Sequence, residues 1–585
     1  MPMNQCSKAF DRFLRKSVWF VPLILLLVTA TGASGQVSPR CQRIYNPTQN
    51  PSGTIHASSG AQMACFGPQL PASARSSLKL PTRTSATSGS GKGQGFSSTN
   101  VDAGNLAEDQ TNGTQAYGQS ETSIAAAGNY VVEAWNDATG FFAPSCSPNF
   151  KDQLTGFGFS SDGGKTFTDL GGLPNVNCLN SAFQGDPSVE VYQTGGNTYF
   201  YVSSLFFDAI SESEEIAMDV CRVVTGSSVS LNCDPNPIII AAPGTFGFDD
   251  KDFLSIDAAR GLLYATFTDF SFPVPVDAIS LSVCDIGNGA FGGTPAKPVC
   301  NSTGPATTPH YMVIAISPLT SCAEIEGAYP AVDPSTGDVY VAYEFNWATN
   351  LFGCPLQVQE QLAYVQASSC IVLTTSPSPC SLPTGTGPTR TTAVDITSMD
   401  GAFIPGYSRF PMNDFPRIAV SPASGTVSIV WNDARANPSG DILLQSFDLG
   451  TLTSIQAAPV KLNNDTTGTG AFHFLPALRN VDANGNLNVS WYDRRLDPST
   501  ALTDVYAALD VSPRTTGTPK SNTRVTNISS NWLVVNSDIN PNFGDYTDNY
   551  IAIAASKKGS VATIFAAWSD GRINVPQPFC ATQGL

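Results

Sequence analysis

The stretch FPRIAVSPASGTVSIVWND, residues 415–433, reads as a β-hairpin. Ile418 and Val420 alternate with small or polar residues, and Val427 and Ile429 do so after the turn, before the Val430-Trp431 pair. Period-two alternation on both sides of a Ser-Pro-Ala-Ser-Gly turn is the pattern of two half-buried antiparallel strands. The same unit recurs along the chain. ETSIAAAGNYVVEAWND covers 121–137 and DPSVEVYQTGGNTYFYVSSLFFD covers 186–208. FLSIDAARGLLYATFTD covers 253–269 and YPAVDPSTGDVYVAYEF covers 329–345. LPALRNVDANGNLNVSWYD covers 475–493, and DNYIAIAASKKGSVATIFAAWSD covers 548–570.

The unit starts are 65, 67, 76, 86, 60 and 73 residues apart. Each interval leaves room for a second hairpin and a loop. Seven four-stranded units predict an all-β chain folded as a β-propeller, with seven blades, six being the alternative count. A ring of radial sheets buries both faces of every blade and leaves only short outer edges. The rival is a row of separate β-sandwiches, which the close spacing disfavours. The last unit is short of strand, because only fifteen residues follow Asp570. The segment GFSSTNVD, 95–102, resembles the ends of other units and is expected to close the ring as the last blade's outer strand.

Composition supports this picture. Of 585 residues, 42% are hydrophobic and 13% charged, with 50 Gly and 42 Pro. That is too apolar for a disordered chain, and it is turn-rich. The net charge of −17 disfavours nucleic acid, which needs a basic footprint. Three histidines in all make a three-His zinc site improbable.

Before the repeats lie two other segments. Lys8, Arg12, Arg15 and Lys16 precede the apolar run Val18 to Val28, and small residues follow up to Gly35. This is the order of a secretory signal peptide, over 1–35. Residues 36–94 form a Cys-containing segment and a Ser/Thr/Gly-rich linker, and 95–585 form the propeller. After signal cleavage no membrane span is expected, and the protein should be secreted, extracellular or periplasmic, and monomeric. Twelve cysteines fall into near-neighbour pairs: 41/65, 146/178, 221/233, 284/300, 322/354 and 370/380, with Cys580 left over. Loop-stapling disulfides in an oxidising compartment fit that pattern.

Ser160-Ser161-Asp162-Gly163-Gly164-Lys165-Thr166-Phe167 fits S-x-D-x-G-x-T-[WF]. It resembles the Asp-box, or BNR repeat, of the sialidase-like propellers, and the hairpin repeats resemble that superfamily over about 120–570. The resemblance implies a turn between the third and fourth strands of a blade. For the whole chain it implies a propeller fold and does not by itself imply sialidase activity; the first functional expectation is a glycoside hydrolase of exo-sialidase type acting on glycans. Such an enzyme would need three arginines on a substrate carboxylate, a Tyr–Glu nucleophile and an Asp acid/base. The family's Arg-Ile-Pro signature is absent; the nearest run is Phe415-Pro416-Arg417-Ile418. The alternative is a non-catalytic propeller that binds carbohydrate or protein.

Candidate residues follow from the repeat. Aligning the inner strands places Glu121, Asp186, Phe253, Tyr329, Phe415, Leu475 and Asp548 at the strand heads near the ring axis. In a closed ring Asp548, Glu121 and Asp186 adjoin and face an aromatic arc that includes Tyr329 and Phe415. Acids opposite rings suit a sugar, or hold Ca²⁺; no cofactor is otherwise called for. Glu121, Asp186, Asp548 and Tyr546 are therefore the candidate catalytic groups. Arg417 is unique at its repeat position, which makes it a candidate ligand contact. Arg435, Arg495 and Arg572 sit in a repeated Trp-x-Asp-x-Arg. They are candidates for the substrate clamp, or else architectural Asp–Arg pairs. Asp252 and Asp414 read as turn caps. The expected partner is a glycan or glycoprotein.

Overall fold

The computed structural model describes residues 96, 99–105, 110–111, 115–116, 119–137, 153–270, 277–289, 292–300, 311–318, 324–347, 356–367, 388–399, 402, 404–407, 412–466, 470–480, 485–499, 501–519, 521–532, 552–558, 561–572 and 577–584. Among these, seven antiparallel sheets of four to six strands form the blades, beside one two-stranded pair. Blade 1 runs Gln119–Ala127, Tyr130–Asp137, Thr155–Ser160 and Thr168–Gly172 from the axis outward. The inner strands of blades 2 to 7 are Ser188–Thr194, Asp249–Asp257, Glu324–Val332, Arg417–Ser421, His473–Asn480 and Ala552–Lys558. Each packs on the next, and the seventh packs on the first, so the ring closes on seven blades.

Closure uses the N-terminal segment. Val101–Asp102 pairs with the last strand, Gln577–Gly584, placing Val101 opposite Cys580 and Asp102 opposite Phe579. Blade 7 therefore takes three strands from the C-terminal end of the chain and its outer strand from residues 101–102. Separating blades 7 and 1 would have to break that pairing as well as the apolar contact between them. In that contact Ile124, Ala126 and Val131 meet Ala554, Phe565 and Ala567.

Local chemistry repeats with the blades. In blades 5, 6 and 7 the second strand ends in a buried staple. The Trp431, Trp491 and Trp568 indoles donate to Asp433, Asp493 and Asp570 at 3.0, 2.8 and 2.8 Å. The Arg two residues on binds the same carboxylate, with Nη2 at 2.7, 2.6 and 2.6 Å. One carboxylate thus satisfies an indole N–H and a guanidinium where the strand leaves the sheet.

A bulge interrupts the inner strands near their heads. The register shifts between Ser120 and Ser123, Asp250 and Phe253, Glu326 and Tyr329, and Phe474 and Ala477. The first bulged residue has positive φ: Glu121 (52°), Lys251 (55°), Gly327 (70°) and Leu475 (50°), and Asp186 (58°) holds the matching place in blade 2. Left-handed bulge positions are the usual place of glycine. Only blade 4 uses one, Gly327, where a Cβ would come within 2.3 Å of the Phe415 ring. A neighbouring blade holds two of the bulges from outside. Asn136 Oδ1 accepts from the Asp186 N–H, and Asn432 Oδ1 accepts from the Leu475 N–H at 3.0 Å.

Two of the expected disulfides are formed, Cys221–Cys233 and Cys284–Cys300, each between directly opposed residues of neighbouring strands. Cys178 is disulfide-bonded, and Cys580 is free and buried. Cys41, Cys65, Cys146, Cys322, Cys354, Cys370 and Cys380 lie outside the described residues, as do the signal peptide and the segment 36–94. Among the described residues no helix is long and apolar enough to cross a membrane.

Candidate functional site

The inner strands of six blades line a cavity on the ring axis, about 560 Å³ with its open mouth included. Glu121 and Ser123 come from blade 1 and Asp186 from blade 2. Lys251, Asp252 and Phe253 come from blade 3, Tyr329 from blade 4, Arg417 from blade 5 and Arg479 from blade 6. Of the sequence candidates, Glu121, Asp186, Tyr329 and Arg417 meet here. Asp548 and Tyr546 lie outside the described residues.

The acidic pair is not open to solvent. Lys251 Nζ stands 3.4 Å from Glu121 Oε2 and 3.4 Å from Asp186 Oδ2, and all three side chains are at most 4% exposed. The two carboxylate oxygens are therefore no more than 6.8 Å apart. Lys251 offsets their charge where water cannot. Nothing in the hairpin pattern marks this lysine, because it sits in the bulge ahead of the alternating run. The available signal was its place two residues before Phe253, matching Glu121 before Ser123.

That match corrects the alignment of the strand heads. Ser123 Oγ accepts from Val189 N, and Ser188 Oγ accepts from Leu254 N, both at 3.0 Å. Ser123, Ser188 and Phe253 are thus equivalent, the register shifts add Tyr329 and Ala477, and Arg417 opens the inner strand of blade 5. The sequence alignment slips by two residues in blades 3 and 4. A slip of two keeps every side chain on its own face of the strand, so alternation cannot detect it. The true heads of blades 3 and 4 are Lys251 and Gly327.

Phe253, Tyr329 and Arg417 consequently form one stack. The two rings lie 4.4 Å apart, and the Arg417 guanidinium sits 5.0 and 5.3 Å from their centroids. Arg417 also donates to the Phe415 and Pro416 carbonyls at 3.4 and 3.2 Å. Phe415, expected at the cavity, instead packs edge-on to Trp347 and is 2% exposed. Arg435, Arg495 and Arg572 do not join Arg417. Each is bound to its staple carboxylate and to neighbouring loops, Arg435 through Asp395 O and Arg495 through Asn464. These three are architectural pairs rather than a clamp.

Two further groups belong to the site. Asp252, read from sequence as a turn cap, lines the cavity and accepts from Ser203 Oγ, while its Oδ1 has no partner. Burial, with Asp186 adding repulsion, pushes its carboxyl up to about 8 against the opposing Ser203 hydrogen bond. Arg479 pairs with Glu190 across the axis, blade 6 to blade 2. A second cavity on the far side of that pair is lined by Ile256, Val332, Ile418 and Val420. Asp414, the other expected cap, instead ties two segments together, accepting from Met399 N, 15 positions away, at 2.9 Å. Among the described residues no three His, Cys, Asp or Glu side chains gather into a metal-binding group.

No family model matches the sequence, and no curated protein matches it. Solved structures similar to the chain include sialidases, an alpha-L-arabinofuranosidase from Lactobacillus brevis and an N-acetylgalactosamine deacetylase from F. plautii. A Hadza microbial sialidase is 10% identical over 69% of this chain and 65% of its own, with TM-score 0.32. Trypanosoma rangeli sialidase is 10% identical over 83% and 58%, TM-score 0.32. The intramolecular trans-sialidase from Ruminococcus gnavus is 9% identical over 79% and 94%, TM-score 0.31. The chain thus spans less than two thirds of the first two. No residue correspondence follows from likeness this distant.

Proposed function

We propose that this is an exported propeller that acts on a glycan at its axial cavity, as a glycoside hydrolase of sialidase type. The observation that supports the reading is Asp252. A carboxyl pushed up to about 8 by burial is protonated at neutral pH and can donate that proton to a leaving oxygen. Glu121 and Asp186 stand in the same cavity with Lys251 between them, so acidic groups in two different environments share one site. Phe253 and Tyr329, both partly exposed, offer an apolar wall of the kind that takes a sugar face. Tyr546 is the proposed nucleophile and Asp548 a further acid, on sequence grounds alone. The two disulfides support export.

A second reading has its own support. Arg417 is held by rings and carbonyls and Arg479 by Glu190, so neither is poised for a substrate carboxylate. A non-catalytic propeller binding a glycan or glycoprotein accommodates this. The test is a panel of aryl glycosides, aryl sialosides included, with Asp252→Asn beside wild type. Turnover that Asp252→Asn abolishes while glycan binding persists carries the hydrolytic reading. Binding to a glycan array without turnover favours the second reading. If neither turnover nor binding is seen, both fall.

A further inference from the structure

The charges of this chain are unevenly placed along it. Residues 36–94 contain Arg40, Arg43, Arg75, Lys79, Arg83 and Lys92 and no Asp or Glu. Residues 101–585 contain 20 Lys and Arg against 46 Asp and Glu. A basic, acid-free segment is therefore joined covalently to a strongly acidic ring.

The ring offers one bay that combines acids with uncovered apolar side chains. Leu179, Ile210 and Phe246 are 78%, 84% and 37% exposed. Their loops are tied together: Ala209 N donates to Asn180 O at 2.8 Å and Phe246 N to Ser211 O at 3.1 Å. Beside them lie exposed Glu212 and half-buried Asp208. Beneath, where blade 2 meets blade 3, are Glu214, Glu215, Asp249 and Asp269. Asp249 is fully buried, and neither of its oxygens has a hydrogen-bond partner. The charged groups acting on it are four further carboxylates, which with burial push it well above the usual carboxylate range.

We propose that residues 36–94 dock on this bay of their own propeller, their Arg and Lys side chains meeting Glu212 and Asp208 and their apolar residues covering Leu179, Ile210 and Phe246. The attachment point allows it. Asn100, just past the segment, is fixed to Arg572 and Val525 at blades 6 and 7. Lys79 lies 21 residues before Asn100, a reach of up to about 70 Å when extended, enough to cross a propeller face. Tethering supplies an effective concentration of about millimolar order, so weak contacts suffice. A charge-led contact of this kind is screened by salt, since the Debye length falls from about 30 Å at 0.01 M to about 3 Å at 1 M. The inference is independent of any activity on glycans.

The test is carbodiimide cross-linking of the full-length exported chain, read by peptide mass spectrometry. At low salt Lys79 should form isopeptide links to Glu212 or Asp208. Those links should fall several-fold in high salt, and likewise in the exposed-surface variant Leu179→Ser/Ile210→Ser. Links confined to acids of other blades, links only between isotopically distinct copies, links unchanged in the double variant, or no links at all would each overturn the proposal.

Discussion

In blades 5 to 7 an indole, an arginine and one aspartate lock the end of the second strand, in the same geometry three times. In blades 1 to 3 the comparable concentration of charge sits at the axis instead. There Glu121, Asp186 and Lys251 occupy successive left-handed bulges, and Lys251 meets both acids across blades. The first arc stabilises each blade from within. The second depends on neighbouring blades packing on one another, because its lysine and acids come from three consecutive blades. A repeated local motif marks framework, whereas the position at which blades 1, 2 and 3 carry Glu, Asp and Lys marks the candidate site. Non-glycine residues at positive φ are costly, and they persist where the surrounding structure holds them.

The sharpest way to break this contrast is Lys251→Met. It leaves Glu121 and Asp186 buried without their cation, and removing one partner of a buried pair costs about 3–5 kcal/mol. Denaturant unfolding should show that loss, and adding Glu121→Gln with Asp186→Asn should recover most of it. A loss below about 1 kcal/mol would mean that the triad is already hydrated and the two arcs do not differ.

In the other arc Asp433→Asn should cost less, about 1.5–3 kcal/mol, the range for hydrogen bonds to a charged group. Arg435 is partly exposed and water can take up its charge, and the amide oxygen can still accept from Trp431. The loss should not depend on the state of the axial triad, so a double mutant with Lys251→Met should be additive.

Protonation probes the same arc. His473 of blade 6 is buried, 3.2 Å from Asp465 and 3.6 Å from the staple carboxylate Asp493. Desolvation lowers its pKa, but Asp493 and Asp465 together outweigh burial and leave it raised above 6.5. A raised folded pKa means that its contribution is complete below about pH 6.5 and is lost as pH rises through the folded value. The Tm should therefore fall over that range in wild type, and the slope should vanish in His473→Gln. An unchanged slope would remove the histidine from the staple network.

The smallest effect expected is at Glu212, which is exposed with φ 52°. Glu212→Gly relieves left-handed strain of about 1–2 kcal/mol against an entropy cost of about 0.5–1 kcal/mol. A gain of up to about 1 kcal/mol should result. The same change at Glu121 should instead destabilise, because that strained residue holds an ion pair with Lys251.

The sequence by itself determined the repeating hairpin, the ring, its closure by Val101–Asp102, and the pairings Cys221–Cys233 and Cys284–Cys300. It also placed residues 160–167 at the turn between the third and fourth strands of blade 1. There Asp162 accepts from the Thr166 N–H at 3.0 Å and its hydroxyl at 2.7 Å. These features are local: alternation, turn residues and short loops act between neighbours along the chain or across one ladder. The tertiary structure alone decided which head residues face one another. Lys251 between Glu121 and Asp186, Arg479 against Glu190, and Arg417 over Phe253 and Tyr329 each join blades 65 or more residues apart. A two-residue slip in blades 3 and 4 leaves every strand face unchanged, so the pattern fixed the sheets without fixing the site. The site is set by the bulges, whose extra residues shift each strand head by an amount that only the closed ring reveals.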